Sequence, residues 1–395
     1  MPTTSIEKSS PGVPFFDQSS SFTELWPLIE QHIDDVFDRG KFSHGRKVAE
    51  LERALAEYTG ARHAVAVNSG TDALVLLLRA AGIGPGDEVV VPAFSFFASA
   101  SAVSLAGATP VFADITADGD YGMDPASAEA AVTGRTRAVM PVHLFSQPAD
   151  LAALGALAER RGLRLLEDSA EGIGMRWDGT HTGLYGDGGV LSFFPTKTLG
   201  ALGDAGMILT DDPEIAEQAG VLRHHGRMGR TIDHIAGISN LSGVSGTNSK
   251  MDDVQAAVLL AKLTRLDRDI ARRRELADAY TERLAGADGV LAVPRTVDRG
   301  VPVDPVTYVY LVEVERRDEL VAHLAARGIG TETYYPRPLH LQPAYADRPG
   351  HRPGAFPRAE AACARTLALP LYPDLTEAGL DAVCTAIFDF YAGRQ

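Results

Sequence analysis

Seven short apolar runs recur between helix-like segments over residues 63–211: "HAVAVN", "DEVVVP", "TPVFAD", "RAVMPV", "LRLLED", "GVLSFF" and "GMILTD". They are nearly continuous in apolar character rather than alternating, so strands formed from them must be buried on both faces. Between them lie "TDALVLLLRAAG", "FFASASAVSLAG" and "PADLAALGALAERRG", which read as crossover helices closed by glycine. This order predicts an α/β fold, with a large domain whose mostly parallel sheet is held between helices. From Met251 a long helical segment carries the chain onward, and "TYVYLVEVE", "RDELVAHLAARG" and "EAGLDAVCTAIFDFYAG" read as a small C-terminal α+β domain. The expected division is a Ser- and Pro-rich arm over 1–21, the large domain over 22–262, and a linking helix with the small domain over 263–395.

In sheets of this kind ligands bind at the carboxyl ends of the strands, so the residues delivered there matter most. "AVAVNSGTDAL" brings Gly70 and Thr71 directly into a helix N-terminus, where free amides and the helix dipole favour an anion such as phosphate. "LRLLEDSAEG" leaves Asp168 at the end of a buried strand, and "VLSFFPTK" delivers Ser192 and then Lys197. No acidic residue stands within six positions of Lys197, so its partner in sequence is missing. A phosphate cradle, a buried carboxylate and a desolvated lysine are what pyridoxal phosphate requires. The lysine holds the cofactor as a Schiff base, and the carboxylate keeps the pyridine nitrogen protonated. An apolar pocket is expected to lower the pKa of such an amine and make it a nucleophile and proton shuttle.

Composition narrows the choice of partners. The 395 residues carry a formal charge of −15, which argues against broad binding to nucleic acid or an anionic membrane. A small anionic substrate would need a local cationic pocket, and the dense candidate is "LRHHGRMGR", with Arg223, His224, His225, Arg227 and Arg230. The two cysteines, Cys363 and Cys384, have neither CxxC nor zinc-ligand spacing, so no metal site is expected. Their scarcity, the lack of an apolar leader in the first residues and the lack of a membrane-length apolar run lead to the expectation of a cytoplasmic protein.

The motifs "NSGTDAL", "VVVPAFSFFASASAV", "PVHLFSQPADL", "LLEDSAEGIG", "LSFFPTKTLGALGDAG", "TNSKMDDVQAA" and "YYPRPLHLQPAY", in this order, cover nearly the whole chain. Together they resemble the DegT/StrS-type nucleotide-sugar aminotransferases, pyridoxal-phosphate enzymes of fold type I. The resemblance implies that Lys197 carries pyridoxal 5'-phosphate as a Schiff base, with pyridoxamine phosphate as the aminated form, and that Asp168 pairs with the pyridinium nitrogen. It implies that Gly70, Thr71 and Ser192 hold the phosphate, that Phe96 stacks on the pyridine ring, and that Asn248 reaches the phosphate of a neighbouring subunit in a homodimer with shared sites. Arg223, His224, Lys250, Tyr334 and His340 are the candidate substrate contacts. Two departures stand out. Where the family usually places Gln against the cofactor's phenolic oxygen this chain has Glu171, expected to be protonated there and to donate to that oxygen. Where it often has His before "YP", this chain has Tyr334.

The reading that follows is transfer of an amino group from glutamate or glutamine to a nucleotide keto-sugar, expected to be a dTDP-linked 4-keto-6-deoxyhexose aminated at C4. The alternatives are amination at C3, a related enzyme acting on ordinary amino acids, and a non-catalytic sensor that keeps the fold. A nicotinamide-dependent reductase would need a G-x-G-x-x-G turn, which "VNSGTDAL" does not supply.

Overall fold

The computed structural model describes residues 12–227 and 242–393. Two helices come first, α1 (Ser19–Arg39) and α2 (Arg46–Thr59). The large domain then alternates: β1 (His63–Val67), α3 (Gly70–Ala80), β2 (Glu88–Pro92), α4 (Phe97–Leu105), β3 (Thr109–Ala113), α5 (Pro125–Ala131), β4 (Thr136–Val139), α6 (Leu151–Arg161) and β5 (Arg164–Asp168). Two short strands, β6 (Arg176–Trp177) and β7 (Thr180–His181), precede β8 (Gly188–Ser192), β9 (Gly206–Thr210) and α7 (Pro213–Leu222). After α8 (Asp253–Leu263) and α9 (Leu266–Leu284) come β10 (Val290–Ala292), β11 (Val303–Asp304), β12 (Tyr310–Val314), α10 (Arg317–Ala326), α11 (Pro357–Arg365), β13 (Thr366–Leu369) and α12 (Glu377–Ala392).

All seven apolar runs become strands of one sheet, ordered β1-β9-β8-β5-β4-β2-β3. Neighbours from β8 through β3 are parallel, and β9 is antiparallel to both β8 and β1. Alternate side chains enter different cores, as the period of two requires. Val89 and Val91 pack with α3 and α4, whereas Val90 packs with the Leu154 and Leu157 face of α6. Ile208 faces the α3 side, while Met207 and Leu209 meet Leu51, Leu55 and Leu259 of α2 and α8. Both faces are therefore covered, which is why these strands lack polar alternation.

The helix ends follow local chemistry. The Ser69 side chain caps α3 by accepting from the Asp72 amide, and Asp150 caps α6 by accepting from Ala153. The single long helix expected after Met251 is two helices. At the break the Thr264 hydroxyl donates back to the Ala261 carbonyl at 2.7 Å, and Arg265 N bonds the Lys262 carbonyl, a tighter pattern than an α-helix. Helix α9 then packs on the small domain, whose sheet runs β10-β12-β13. The buried Arg273 guanidinium of α9 donates to the carbonyls of Tyr308 (3.0 Å) and Leu371 (2.8 Å), fixing the chain just before β12. The short third sheet, β11-β6-β7, has no counterpart in the sequence expectations. Of the expected arm, Val13 makes a parallel bridge with Ile329 of the small domain, and α1 starts at Ser19.

Because β9 runs against its neighbours, its amino end lies beside the carboxyl ends of β1 and β8. A Cβ on Gly206 would stand 2.5 Å from the Ser69 carbonyl and 2.7 Å from the Gly70 nitrogen. Gly206→Ala should therefore cost about 1–3 kcal/mol in urea or thermal unfolding, because backbone rather than a flexible tip must move. Gly220 lies in α7, where a methyl group would meet no atom within 4 Å, so Gly220→Ala should gain about 0.5–1 kcal/mol. Equal effects at the two positions would refute the steric account.

Candidate active site

The cleft opens where β5 and β8 end against the start of α3. Its lining includes Gly70, Thr71, Phe96, Asp168, Glu171, Ser192, Lys197, Tyr308, Tyr334 and Tyr335. One wall is the helix N-terminus. Ala73 N is bonded to the Ser69 carbonyl and Asp72 N to the Ser69 hydroxyl, so Gly70 and Thr71 present the amides ahead of the first intrahelical bonds. Gly70 is required by contact: a Cβ there would lie 2.7 Å from Ser192 Cβ and 2.9 Å from its Oγ. Helix amides, Thr71 and the Ser192 hydroxyl thus meet in one corner, suited to a phosphate.

Asp168 is held at the far side, 4% exposed. Its Oδ2 accepts from the Ser99 hydroxyl at 2.7 Å and its Oδ1 from the Ala170 amide at 3.2 Å. Burial pushes its carboxyl above the usual range, and these two bonds with the Lys197 charge only partly oppose that. A buried carboxylate with no cation bonded to it among the described residues suits a ring nitrogen that carries a proton.

Lys197 sits in the loop after β8, where its amide donates to the Phe194 carbonyl at 2.8 Å. Its missing partner is Glu171: Nζ lies 3.1 Å from Oε1. The ammonium also stands 4.2 Å from the centre of the Tyr308 ring. Burial pushes this lysine down, but Glu171 and Tyr308 outweigh it and the net direction is upward. That corrects the expectation of a lowered pKa, which counted desolvation and not the carboxylate brought in by the fold. The other Glu171 oxygen accepts from the Phe145 amide at 2.8 Å, so both oxygens of the carboxyl group act as acceptors in this structure.

Phe145 is a residue that sequence reasoning missed. Its φ of +64° is unusual for a non-glycine. Its carbonyl accepts from the Tyr308 amide at 2.7 Å, so one strained residue ties Glu171 to Tyr308. Ser99 and Tyr308 were missed as well. Ser99 lies one helical turn beyond Ser95, whose hydroxyl it meets at 2.7 Å, and that spacing was the available signal. Tyr308 belonged to an apolar run and gave none.

Of the aromatic pair, Phe96 lines the cleft, with its ring 6.2 Å from Tyr335 and 59% of its surface exposed. Phe97 turns instead to Tyr345, 5.8 Å away. Tyr334 also reaches the cleft.

The remaining candidates lie elsewhere. His340 is fully buried against Phe356, with Nε2 3.3 Å from Glu360, and does not reach the cleft. Arg223 donates to Glu52 (2.5 Å) and to the Ala66 carbonyl (2.7 Å), which engages it within the fold. His224 stacks on His44, ring centres 5.8 Å apart, and both imidazoles are pushed down to about 4 by burial and then by the surrounding cations. Asn248 is exposed and accepts from Lys250. Arg230 lies outside the described residues. Among the described residues no group of side chains could hold a metal ion, and no helix is long and apolar enough to cross a membrane.

Comparison with known proteins gives the family. Residues 27–388 match the model of the DegT/DnrJ/EryC1/StrS aminotransferase family. The chain belongs to that family. It is 43% identical to a Streptomyces venezuelae protein named dTDP-3-amino-3,4,6-trideoxy-alpha-D-glucose transaminase, over 94% of each chain. It is 40% identical to an Acidithiobacillus ferrooxidans UDP-N-acetyl-3-dehydro-alpha-D-glucosamine 3-aminotransferase, over 95% of this chain and 97% of the other. The crystal structure of S. venezuelae DesV in complex with a ketimine intermediate superposes with a TM-score of 0.89 at 42% identity, covering 97% of this chain and 99% of that one.

The electrostatics of Asp168 give a test. A carboxyl whose folded pKa lies above its unfolded value loses stability as pH rises between the two, and the deficit persists above them. Asp168→Asn should therefore raise the unfolding temperature of the cofactor-free protein at neutral pH, while abolishing turnover. The Asn oxygen can still accept from Ala170 and its amide can donate to Ser99. A lower unfolding temperature would contradict the buried-charge description.

Proposed function

We propose that this protein is a pyridoxal-phosphate-dependent aminotransferase that acts on a nucleoside-diphosphate keto-sugar, with glutamate or glutamine as amino donor. The observation that carries the reading is the convergence of Lys197, Asp168 and the Gly70–Thr71 helix end on one cleft. The cofactor, when bound, supplies the electron sink that lets an amino group pass between two carbon skeletons. The Gly70 and Thr71 amides and Ser192 would hold its phosphate, Asp168 its ring nitrogen and Phe96 its face. Lys197 would be its attachment point and, once released, would carry the proton at the reacting carbon.

Asn248 and Lys250 fit the expectation of a shared site. They lie outside this chain's own cleft, which is where residues serving a second copy must be, so we infer a homodimer. A substrate diphosphate needs cations that this acidic chain offers sparingly, and Lys250 and Arg227 beside Asn248 are the candidates. For the position of amination we propose C3, since both relatives described above are named for 3-amino sugars. This takes precedence over the expectation of C4, which rested on general likeness. The nucleotide in those names differs, dTDP in one and UDP in the other, and both belong in the assay.

The test is a two-stage assay. Glutamate should convert the bound cofactor, seen as loss of its visible absorption, and a panel of dTDP- and UDP-linked 3-keto and 4-keto sugars should then restore it. NMR of the product fixes the aminated carbon; no conversion with any keto-sugar would refute the reading. Lys197→Ala and Asn248→Ala chains should each be inactive, and mixing them under subunit exchange should recover up to about a quarter of the activity, because hybrid dimers hold one intact site. No recovery after verified exchange would refute the shared site.

A further inference from the structure

Glu171 and Lys197 stand 26 positions apart in the chain, and the fold brings them to bonding distance. We propose that Glu171 is the proton partner of Lys197. It holds the free side chain as an ammonium aimed into the cleft, and it takes up that proton when the amine acts as a nucleophile. This deepens the function proposed above and rests on it.

The geometry is that of a fixed acceptor. Glu171 Oε1 lies 3.1 Å from Nζ, while Oε2 is anchored 2.8 Å from the Phe145 amide. The anchor comes from a residue with φ +64°, whose carbonyl is itself bonded to the Tyr308 amide, so the carboxylate cannot swing aside without disturbing both. Tyr308 covers the ammonium from another side at 4.2 Å. The other charged or titratable groups facing this corner are Asp168, Asp204, Tyr334 and Tyr335. Asp168 is bonded to Ser99 and Ala170, Asp204 is exposed, and burial pushes Tyr334 and Tyr335 upward, so these two phenols keep their protons. Glu171 is therefore the group positioned to accept from Nζ.

The step balances within the pair. An N–H bond of the ammonium breaks, an O–H bond forms on Glu171, and a neutral amine faces a neutral acid in the cleft. The reverse transfer restores the ion pair when the lysine is released. A glutamine could accept a hydrogen bond from the ammonium but could not take the proton. The upward push on Lys197 by Glu171, against burial, agrees with the first half of this role: the proton rests on Nζ, and its transfer to Glu171 is the uphill step that must precede attack.

The test reads the ionisation of Lys197 directly. Full-length protein freed of cofactor is pulsed with acetic anhydride across a pH series, with N-acetyl-lysine as internal reference, and labelling of the Lys197 peptide is measured by mass spectrometry. The wild-type midpoint should lie at or above that of the reference; a midpoint clearly below it would overturn the proposal without any variant. In Glu171→Gln, whose amide oxygen can still accept from Phe145, burial acts unopposed. The midpoint should fall by about one pH unit or more, with about tenfold faster labelling near pH ~8. An unmoved midpoint in a folded variant would overturn the proposal. Uptake of pyridoxal phosphate by the same samples, followed by visible absorption, separates the two readings. Failure of both proteins to take it up would refute the cofactor assignment, while the labelling midpoints would still decide the ion pair.

Discussion

The N-terminus of α3 reaches the ends of β8 and β9 because neither Gly70 nor Gly206 carries a side chain. A methyl group on Gly70 would collide with Ser192, and one on Gly206 with the Ser69 carbonyl and the Gly70 nitrogen. That approach of helix end to sheet edge fixes the corner where amides and the Ser192 hydroxyl meet, and it sets the start of the loop that carries Lys197. The antiparallel direction of β9 is part of the same constraint, since it brings the start of β9 rather than its end to the edge where the parallel strands finish.

Charge in the cleft is divided between two carboxylates with different tasks. Asp168, at the end of β5, has no lysine or arginine at bonding distance among the described residues; a hydroxyl and an amide hold it, and burial raises its pKa. Such a group is costly in the empty fold and favourable once a cation reaches it. Glu171, one turn of loop further, already has its cation in Lys197. Phe145 and Arg273 stabilise this arrangement from behind: one joins Glu171 to the Tyr308 backbone, and the other ties that backbone to α9 and to Leu371. The small domain thus contributes to the cleft through Tyr308, Tyr334 and Tyr335, and the large domain through the sheet edge.

Much of this was legible before the structure. The seven strands could be read because burial on both faces leaves a run of apolar residues, and the strand ends that line the cleft followed from sheet topology. Gly70, Thr71, Asp168, Ser192 and Lys197 converge as the strand ends imply. What could not be read was side-chain contact across long separations. Glu171 was visible in the sequence, but its pairing with Lys197 depends on how two loops after β5 and β8 approach each other. Tyr308 stood in an apolar stretch, and nothing local marks Phe145 for a left-handed backbone. His340 and Arg223 show the opposite failure: a polar residue in a suggestive motif was drawn to the ligand, while the fold engages it with Glu360 or Glu52. The break between α8 and α9 was hidden because Thr264 disturbs a helix only through its own hydroxyl bond.

The central claim is that Lys197, in this cradle, is the amine that binds the cofactor. Incubation of the protein with pyridoxal phosphate, reduction with borohydride and peptide mapping by mass spectrometry test it most directly. The expected result is one stoichiometric pyridoxyl adduct on the peptide "FFPTKTLGALGDAG", localised to Lys197, and its loss when inorganic phosphate at high concentration competes for the helix end. An adduct on another lysine, or substoichiometric labelling spread over several, would contradict the assignment.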